Sequence, residues 1–222
     1  MSAPDPEEQA RRFAGESLAD ADPTGWFERL YSAAAEGDAV VPWDRGHAHP
    51  LLLDWTEATR PDGRGKRALV VGCGLGDDTE LLAGFGYDTV GFDISATAIQ
   101  TARSRYPDSD VDYRTADLLD PPADWAEAYD LVFESQTVQS LPPAAHAAAI
   151  AQVGRFVAPG GRLLVIALGA EQPLFEGPPW PLRCDEIDAF AADGLSVVRI
   201  EELPHPDTPG LGRWRAELRR DA

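Results

Sequence analysis

The sequence predicts an α/β protein: a doubly wound, mostly parallel sheet of seven strands with an antiparallel last strand, preceded by an N-terminal helical cap. Three observations carry this expectation. From residue 66 onward, short apolar runs alternate with helical stretches, and strand–helix alternation implies right-handed crossovers and parallel pairing. The first run opens into Gly72-Cys73-Gly74-Leu75-Gly76, a glycine-rich strand-to-helix turn. The last two runs have no helix between them, so they are expected to form a hairpin.

The elements follow in chain order. Residues 1 to about 22 are polar, acidic and alanine-rich, and give at most one weak helix. Thr24 to Glu36 reads as an amphipathic helix, with Trp26, Phe27, Leu30, Tyr31 and Ala34 at helical spacing and Gly37 to stop it. A loop punctuated by Pro42, Gly46 and Pro50 leads to a second helix over Leu51 to Thr59. Strands are expected over Arg67–Val71, Tyr87–Phe92, Val111–Thr115, Tyr129–Glu134 and Arg162–Leu168, the first a continuous apolar run of the kind buried on both faces. Between them lie helices over Thr79–Phe85, from Ser95 as cap through Arg105, and over Pro143–Val157, the last closed by Pro159-Gly160-Gly161. A short helix over Asp185–Ala192 precedes strands at Leu195–Leu203 and Trp214–Leu218. Residues 1–62 are thus expected to form the cap and 63–222 the sheet domain. No period of 20 to 50 residues repeats.

Composition removes several classes of function. Acidic residues outnumber basic ones 38 to 19, for a net charge of −19. Such a surface repels phosphate backbones and anionic lipid, so neither nucleic acid nor membrane is an expected partner. Arg64, Lys66 and Arg67 read as a solvated approach to the first strand, and Lys66 is the only lysine in a chain without asparagine. Two cysteines, Cys73 and Cys184, give neither a disulfide framework nor zinc-ligand spacing. His47 and His49 stand two apart with no third ligand, so no metal site is expected. The apolar run Leu163–Leu168 is too short to span a bilayer, and the acidic N-terminus lacks the apolar core of a secretory signal. A soluble cytoplasmic protein, monomeric rather than oligomeric, is the expectation.

The chemistry sits around the glycine turn. Its glycines let a backbone approach a ligand closely and take conformations a Cβ would forbid. Asp93 follows 21 residues after Gly72, at the end of the second strand, where a carboxylate accepts hydrogen bonds from both hydroxyls of a ribose. The pattern is G-x-G-x-G, and Asp77 stands where a dinucleotide fold has its third glycine. A carboxylate at that helix entrance opposes a pyrophosphate, so the expected ligand is a nucleoside without phosphates. Asp117, just after the third strand, is placed to accept a hydrogen bond from an adenine amino group, or else to cap a turn.

In order along the chain stand Val71-Gly72-Cys73-Gly74-Leu75-Gly76, Gly91-Phe92-Asp93-Ile94-Ser95, Ala116-Asp117-Leu118, Tyr129–Glu134 and Val157-Ala158-Pro159-Gly160-Gly161-Arg162-Leu163-Leu164. With these, residues 66–169 resemble the class I S-adenosylmethionine-dependent methyltransferases. The resemblance implies a Rossmann-like sheet. It also implies that Gly72, Gly74 and Gly76 wrap the methionyl part of the cofactor, that Asp93 meets the ribose and that Asp117 lies near adenine, with Cys73, Ile94 and Leu118 as further cofactor contacts; by position in the glycine loop alone, Cys73 reads as buried packing. One departure is plain: Val70 stands where the family usually carries an acidic residue, so a contact to the methionine amino group falls to another residue, with Asp77 or Asp78 as candidates.

Gly25-Trp26-Phe27-Glu28-Arg29-Leu30 and Val41-Pro42-Trp43-Asp44-Arg45-Gly46-His47-Ala48-His49-Pro50 are similar to the thiopurine, thiol and halide methyltransferase branch. That likeness implies a cap over the cofactor in which Trp26 and Trp43 flank the sulfonium, a cation that indole faces attract. Glu134, ending the fourth strand, is a candidate to orient the acceptor, hold the methionine amino group or act as a base. His49 is a second candidate base and acceptor contact, while His205, in a proline-rich turn, receives no role. Leu141-Pro142-Pro143 resembles a stretch of the halide branch, with His146 where an arginine is common there. Trp180 stands in a loop, 169–184, expected to serve as a substrate lid. The function this implies is methyl transfer to a small acceptor, a thiol, halide or similar soft nucleophile. The alternatives are O- or N-methylation of a small metabolite, or binding of the cofactor without catalysis.

Overall fold

A computed structural model describes residues 5–170 and 177–222. Seven strands, β1 (Arg67–Val71), β2 (Asp88–Asp93), β3 (Asp112–Thr115), β4 (Tyr129–Ser135), β5 (Val157–Gly169), β6 (Leu195–Pro204) and β7 (Gly212–Arg220), form one sheet in the order β3-β2-β1-β4-β5-β7-β6. The first five pair in parallel, and β7 runs antiparallel to both β5 and β6. The strand order reverses between β1 and β4, which places a ligand crevice at their carboxyl ends.

Alternation along the strands divides the core in two. Leu69, Val71, Phe92, Val132, Val165 and Ala216 face α6 (Pro143–Arg155) and the short α7 (Cys184–Asp188). Ala68, Val70, Leu131, Phe133, Leu164 and Ile166 face α3 (Pro50–Thr59), α4 (Asp77–Gly84) and α5 (Ala96–Arg105). Leu51, Leu52 and Trp55 of α3 are thereby part of the sheet's own core.

Two helices precede these, α1 (Pro6–Ala19) and α2 (Gly25–Glu36). The fourteen residues of α1 exceed the weak helix expected. Asp5 caps it by accepting from the Glu7 N–H at 2.9 Å, and Glu7 and Glu8 occupy the positive first turn. Its buried face is Ala10, Ala14 and Ser17, packed on Trp26, Leu30 and Tyr31. An apolar stripe made of alanine leaves little periodic signal in a sequence. Glu28 ties α2 to the start of α5, accepting from Ser95 Oγ at 2.6 Å and from Thr97 Oγ1 at 2.5 Å.

Several boundaries differ from the sequence reading. The expected helix over Pro143–Val157 stops at Arg155, and Pro159-Gly160-Gly161 lies within β5. Tyr129 pairs with Val157 but Leu131 with Arg162, so these residues form a bulge, which accommodates both the proline and the glycines. The last helix is five residues, starting at Cys184 rather than running over Asp185–Ala192, and α4 begins at Asp77 rather than Thr79. Among the described residues no helix is long and apolar enough to cross a membrane.

Candidate functional site

The loop after β1 is shaped by three glycines with positive φ: Gly72 at +60°, Gly74 at +51° and Gly76 at +98°. Asp93 ties this loop to β2. Its Oδ2 accepts from the Gly74 N–H at 3.0 Å and its Oδ1 from the Ser95 N–H at 2.9 Å, and each oxygen keeps a further lone pair. Burial raises the Asp93 carboxyl to about 6, against the pull of those two N–H groups.

Above the loop lies a cavity of about 510 Å³, with a narrow pocket of about 40 Å³ beside it. Phe27, Gly72 and Thr137 line both. The narrow pocket is walled by Ile94, Leu118 and Leu141, with Asp93 and Asp117 at its polar edge. Asp117 accepts from the Leu119 N–H at 2.8 Å, which fixes its turn. In the larger cavity Trp26, Tyr31 and Trp43 face the glycine loop. The two indoles meet edge to face with centroids 6.0 Å apart, and Trp43 Nε1 donates to the Tyr31 hydroxyl at 2.9 Å. Cys73 also lines this cavity, and burial pushes its thiol well above the usual range.

Asp77 and Asp78, in the first turn of α4, differ in their partners. Asp77 is taken up by the Tyr106 hydroxyl at 2.7 Å and Arg105 at 3.2 Å. Asp78 lines the cavity and accepts from the His49 N–H at 2.6 Å; burial raises its carboxyl to about 6. Asp78 and Asp93 are therefore satisfied by backbone N–H groups rather than by cations.

Three expected site residues lie outside the cavity lining. Glu134 is fully buried; its Oε1 accepts from the Thr137 and Val138 N–H groups at 2.7 and 3.0 Å, and its Oε2 has no partner. It caps the 3₁₀ turn Val138–Ser140 and so sets Thr137 and Gln139, which do line the cavity. His49 is the N-cap of α3. Its Nδ1 accepts from the Leu51 N–H at 3.1 Å, and burial, with Arg45 and Arg213 nearby, lowers it to about 3. A ring whose free pair is already used, held neutral at physiological pH, is a poor base. Trp180 is half-buried and donates its backbone N–H to the Gln139 carbonyl at 2.6 Å, while Pro178 and Pro179 take the lining positions. Residues 171–176 of the expected lid lie outside the described residues. His146 also points away from the cleft, with Nδ1 2.7 Å from Glu186 and Nε2 2.9 Å from the Leu141 carbonyl.

The lining adds residues given no binding role from sequence: Tyr31, Thr137, Gln139, His47 and His205. Thr137 and Gln139 carry a positional signal, since they follow the carboxyl end of β4 at the switch point. The proline-rich turn around His205 offers none.

Burial gives the cleft a distinctive pH response. Asp78, Asp93 and Glu134 hold their protons at about 6, 6 and 7 in the folded chain against roughly 4 when unfolded. A raised carboxyl weakens folding as pH climbs between those values, and the loss is complete above the folded one. The ligand-free protein is therefore expected to melt several degrees higher at pH 5.5 than at pH 8 in scanning calorimetry. Glu134→Gln, which keeps the oxygen that caps the turn, is expected to gain about 2 kcal/mol at pH 8 and to flatten that profile. A midpoint that falls on acidification over this range would contradict the account.

Comparison with known proteins decides the family. Residues 33–208 match the family model described as thiopurine S-methyltransferase (TPMT). The chain belongs to the thiopurine S-methyltransferase family. It is 28% identical over 222 residues to a thiocyanate methyltransferase 1 of Brassica oleracea, covering 95% of this chain and 91% of that one. It is 26% identical to a probable thiol methyltransferase 2 of Arabidopsis thaliana, covering 86% and 85%. Among solved structures, one described as converting a disulfide bond into a thioacetal group during echinomycin biosynthesis superposes with a TM-score of 0.68 at 26% identity, covering 87% and 93%. The fold is shared with the Burkholderia thailandensis 1,6-didemethyltoxoflavin-N1-methyltransferase, bound to S-adenosylhomocysteine (TM-score 0.65, 17% identity, covering 100% and 94%).

This thiopurine S-methyltransferase family member is an S-adenosylmethionine-dependent enzyme, and its cleft fits that cofactor. A sulfonium and an ammonium suit a cleft in which Asp78 and Asp93 accept from backbone N–H groups and the indoles of Trp26 and Trp43 face the glycine loop.

Proposed function

We propose that the enzyme methylates a small soft nucleophile, a thiol above all, with the cofactor lying across the carboxyl ends of β1, β2 and β4. The single observation behind this reading is the juxtaposition, across two adjoining pockets that share Gly72, of the glycine loop, Asp93 and the two indoles. When bound, S-adenosylmethionine supplies a methyl group on a sulfonium that is already a good leaving group.

The chain's own residues bind, orient and exclude water. In this reading Ile94 and Leu118 sandwich the adenine, with Asp117 at its edge, and Asp93 accepts from the ribose hydroxyls. Gly72, Cys73, Gly74 and Gly76 wrap the methionyl chain, and Asp78 takes the ammonium contact that Val70 leaves open. Trp26 and Trp43 shield the sulfonium, where a cation–π contact is worth roughly 0.5–2 kcal/mol. Alignment in a dry cleft contributes up to ~7–11 kcal/mol in favourable cases. Glu134 and His49 act at one remove, through the Thr137 turn and the start of α3. The cap is proposed to comprise α1, α2 and the loop to His49, with α3 belonging to the sheet. A monomer in the cytoplasm is part of the proposal, in keeping with the free thiol Cys73.

A panel of alkyl and aryl thiols, thiocyanate, iodide, phenols and amines tests the acceptor class. Thiols are expected to be methylated at least about tenfold faster than any oxygen or nitrogen acceptor, a barrier difference of about 1.4 kcal/mol. Phenol or amine methylation with inert thiols would overturn the reading, and so would cofactor binding with no turnover.

A further inference from the structure

Two histidines line the larger cavity, and their backbone partners fix them in opposite tautomers. His47 Nδ1 lies 2.8 Å from the Ala48 carbonyl oxygen. A carbonyl only accepts, so Nδ1 carries hydrogen and the neutral ring keeps its free pair on Nε2. His205 is the reverse: its Nδ1 accepts from the N–H groups of Asp207 and Thr208 at 3.2 and 3.1 Å, which leaves Nε2 as a donor. His49 likewise spends its Nδ1 pair on Leu51. Of the three, only His47 can gain a proton without losing a hydrogen bond.

We infer that His47 is the general base for thiol acceptors, an inference that rests on the thiol reading above. The acceptor's S–H bond breaks with its electron pair staying on sulfur, and the proton passes to His47 Nε2. That sulfur forms the new bond to the methyl carbon, while the pair of the old methyl–sulfonium bond leaves with the departing thioether. His47, exposed at the mouth of the cavity, returns its proton to water. The charged groups around it are Asp78 of α4 and His49; Arg45, in its own loop, acts on both of these, Arg213 on His49 and Asp77 on Arg45 and Asp78. A nucleophile without a proton, such as thiocyanate, needs no such base.

His47→Asn retains an amide N–H for the Ala48 carbonyl and removes the basic nitrogen. With 2-mercaptoethanol as acceptor, kcat/KM is expected to fall about 100-fold at pH 7. The defect is expected to shrink to within about threefold near pH 9.5, where much of the thiol is ionised without help. S-adenosylhomocysteine affinity is expected to stay unchanged. Independently, ¹⁵N spectra of His47 in the wild-type complex with S-adenosylhomocysteine are expected to show a bare Nε2 at pH 8. An equal loss at both pH values, no loss at either, or a protonated neutral Nε2 would overturn the inference. Wild-type enzyme that methylates no thiol would instead overturn the acceptor class.

Discussion

Replacing Asp93 by alanine is expected to weaken S-adenosylhomocysteine binding by about 10- to 100-fold while leaving the sheet folded. Two losses combine. Charge-assisted hydrogen bonds of the kind proposed to the ribose are worth about 1.5–3 kcal/mol together with the penalty for unpaired partners. The same carboxylate holds the glycine loop through the Gly74 N–H and the start of α5 through the Ser95 N–H, so its removal also loosens the cradle. A pH dependence separates the two. The proposed contact to both ribose hydroxyls calls for the charged carboxylate, and burial places its titration at about 6. Wild-type affinity is therefore expected to decline below pH 6, and the Asp93→Ala variant to lack that decline. Titration calorimetry between pH 5 and 8 reads both; unchanged affinity in the variant would remove Asp93 from the site.

Gly72→Ala is expected to be still more damaging. At φ +60° an L side chain is strained by roughly 1–2 kcal/mol, and the new Cβ would fall well inside the contact radius of Thr137 Oγ1. Thr137 cannot easily yield, because its hydroxyl donates to the Val71 carbonyl at 3.0 Å and its N–H to Glu134 at 2.7 Å. Overpacking of this kind adds about 1–3 kcal/mol. The expected outcome is a fall of about 3 kcal/mol in stability, measured by denaturant unfolding, with cofactor binding lost. The double variant Gly72→Ala/Thr137→Ala is expected to recover the steric part only. Full stability in Gly72→Ala would show that the loop is not held as described.

The residues that announce themselves in sequence do so because their chemistry is set by the backbone. Gly72, Gly74 and Gly76 are legible because few other residues tolerate their conformation, and Asp93 because the end of a parallel strand places it without help from packing. Glu134 and His49 are less legible for the opposite reason. Each sits beside the cleft in sequence, but a single rotation decides whether a side chain enters the cavity or caps a turn, and the backbone N–H groups of Thr137, Val138 and Leu51 decide it. His47 and His205 become informative only once their hydrogen-bond partners are known. The alanine face of α1 and the Pro159-Gly160-Gly161 bulge belong to the same class: the first packs without bulky residues, and the second is rescued by register with β4.

The enzyme's structure with S-adenosylhomocysteine tests the central claim most directly. Adenine is expected in the narrow pocket between Ile94 and Leu118, both ribose hydroxyls on the Asp93 carboxylate, and the homocysteine chain along Gly72–Gly76 beneath Trp43. Ligand bound elsewhere, or a cleft left empty at saturating concentration, would contradict it.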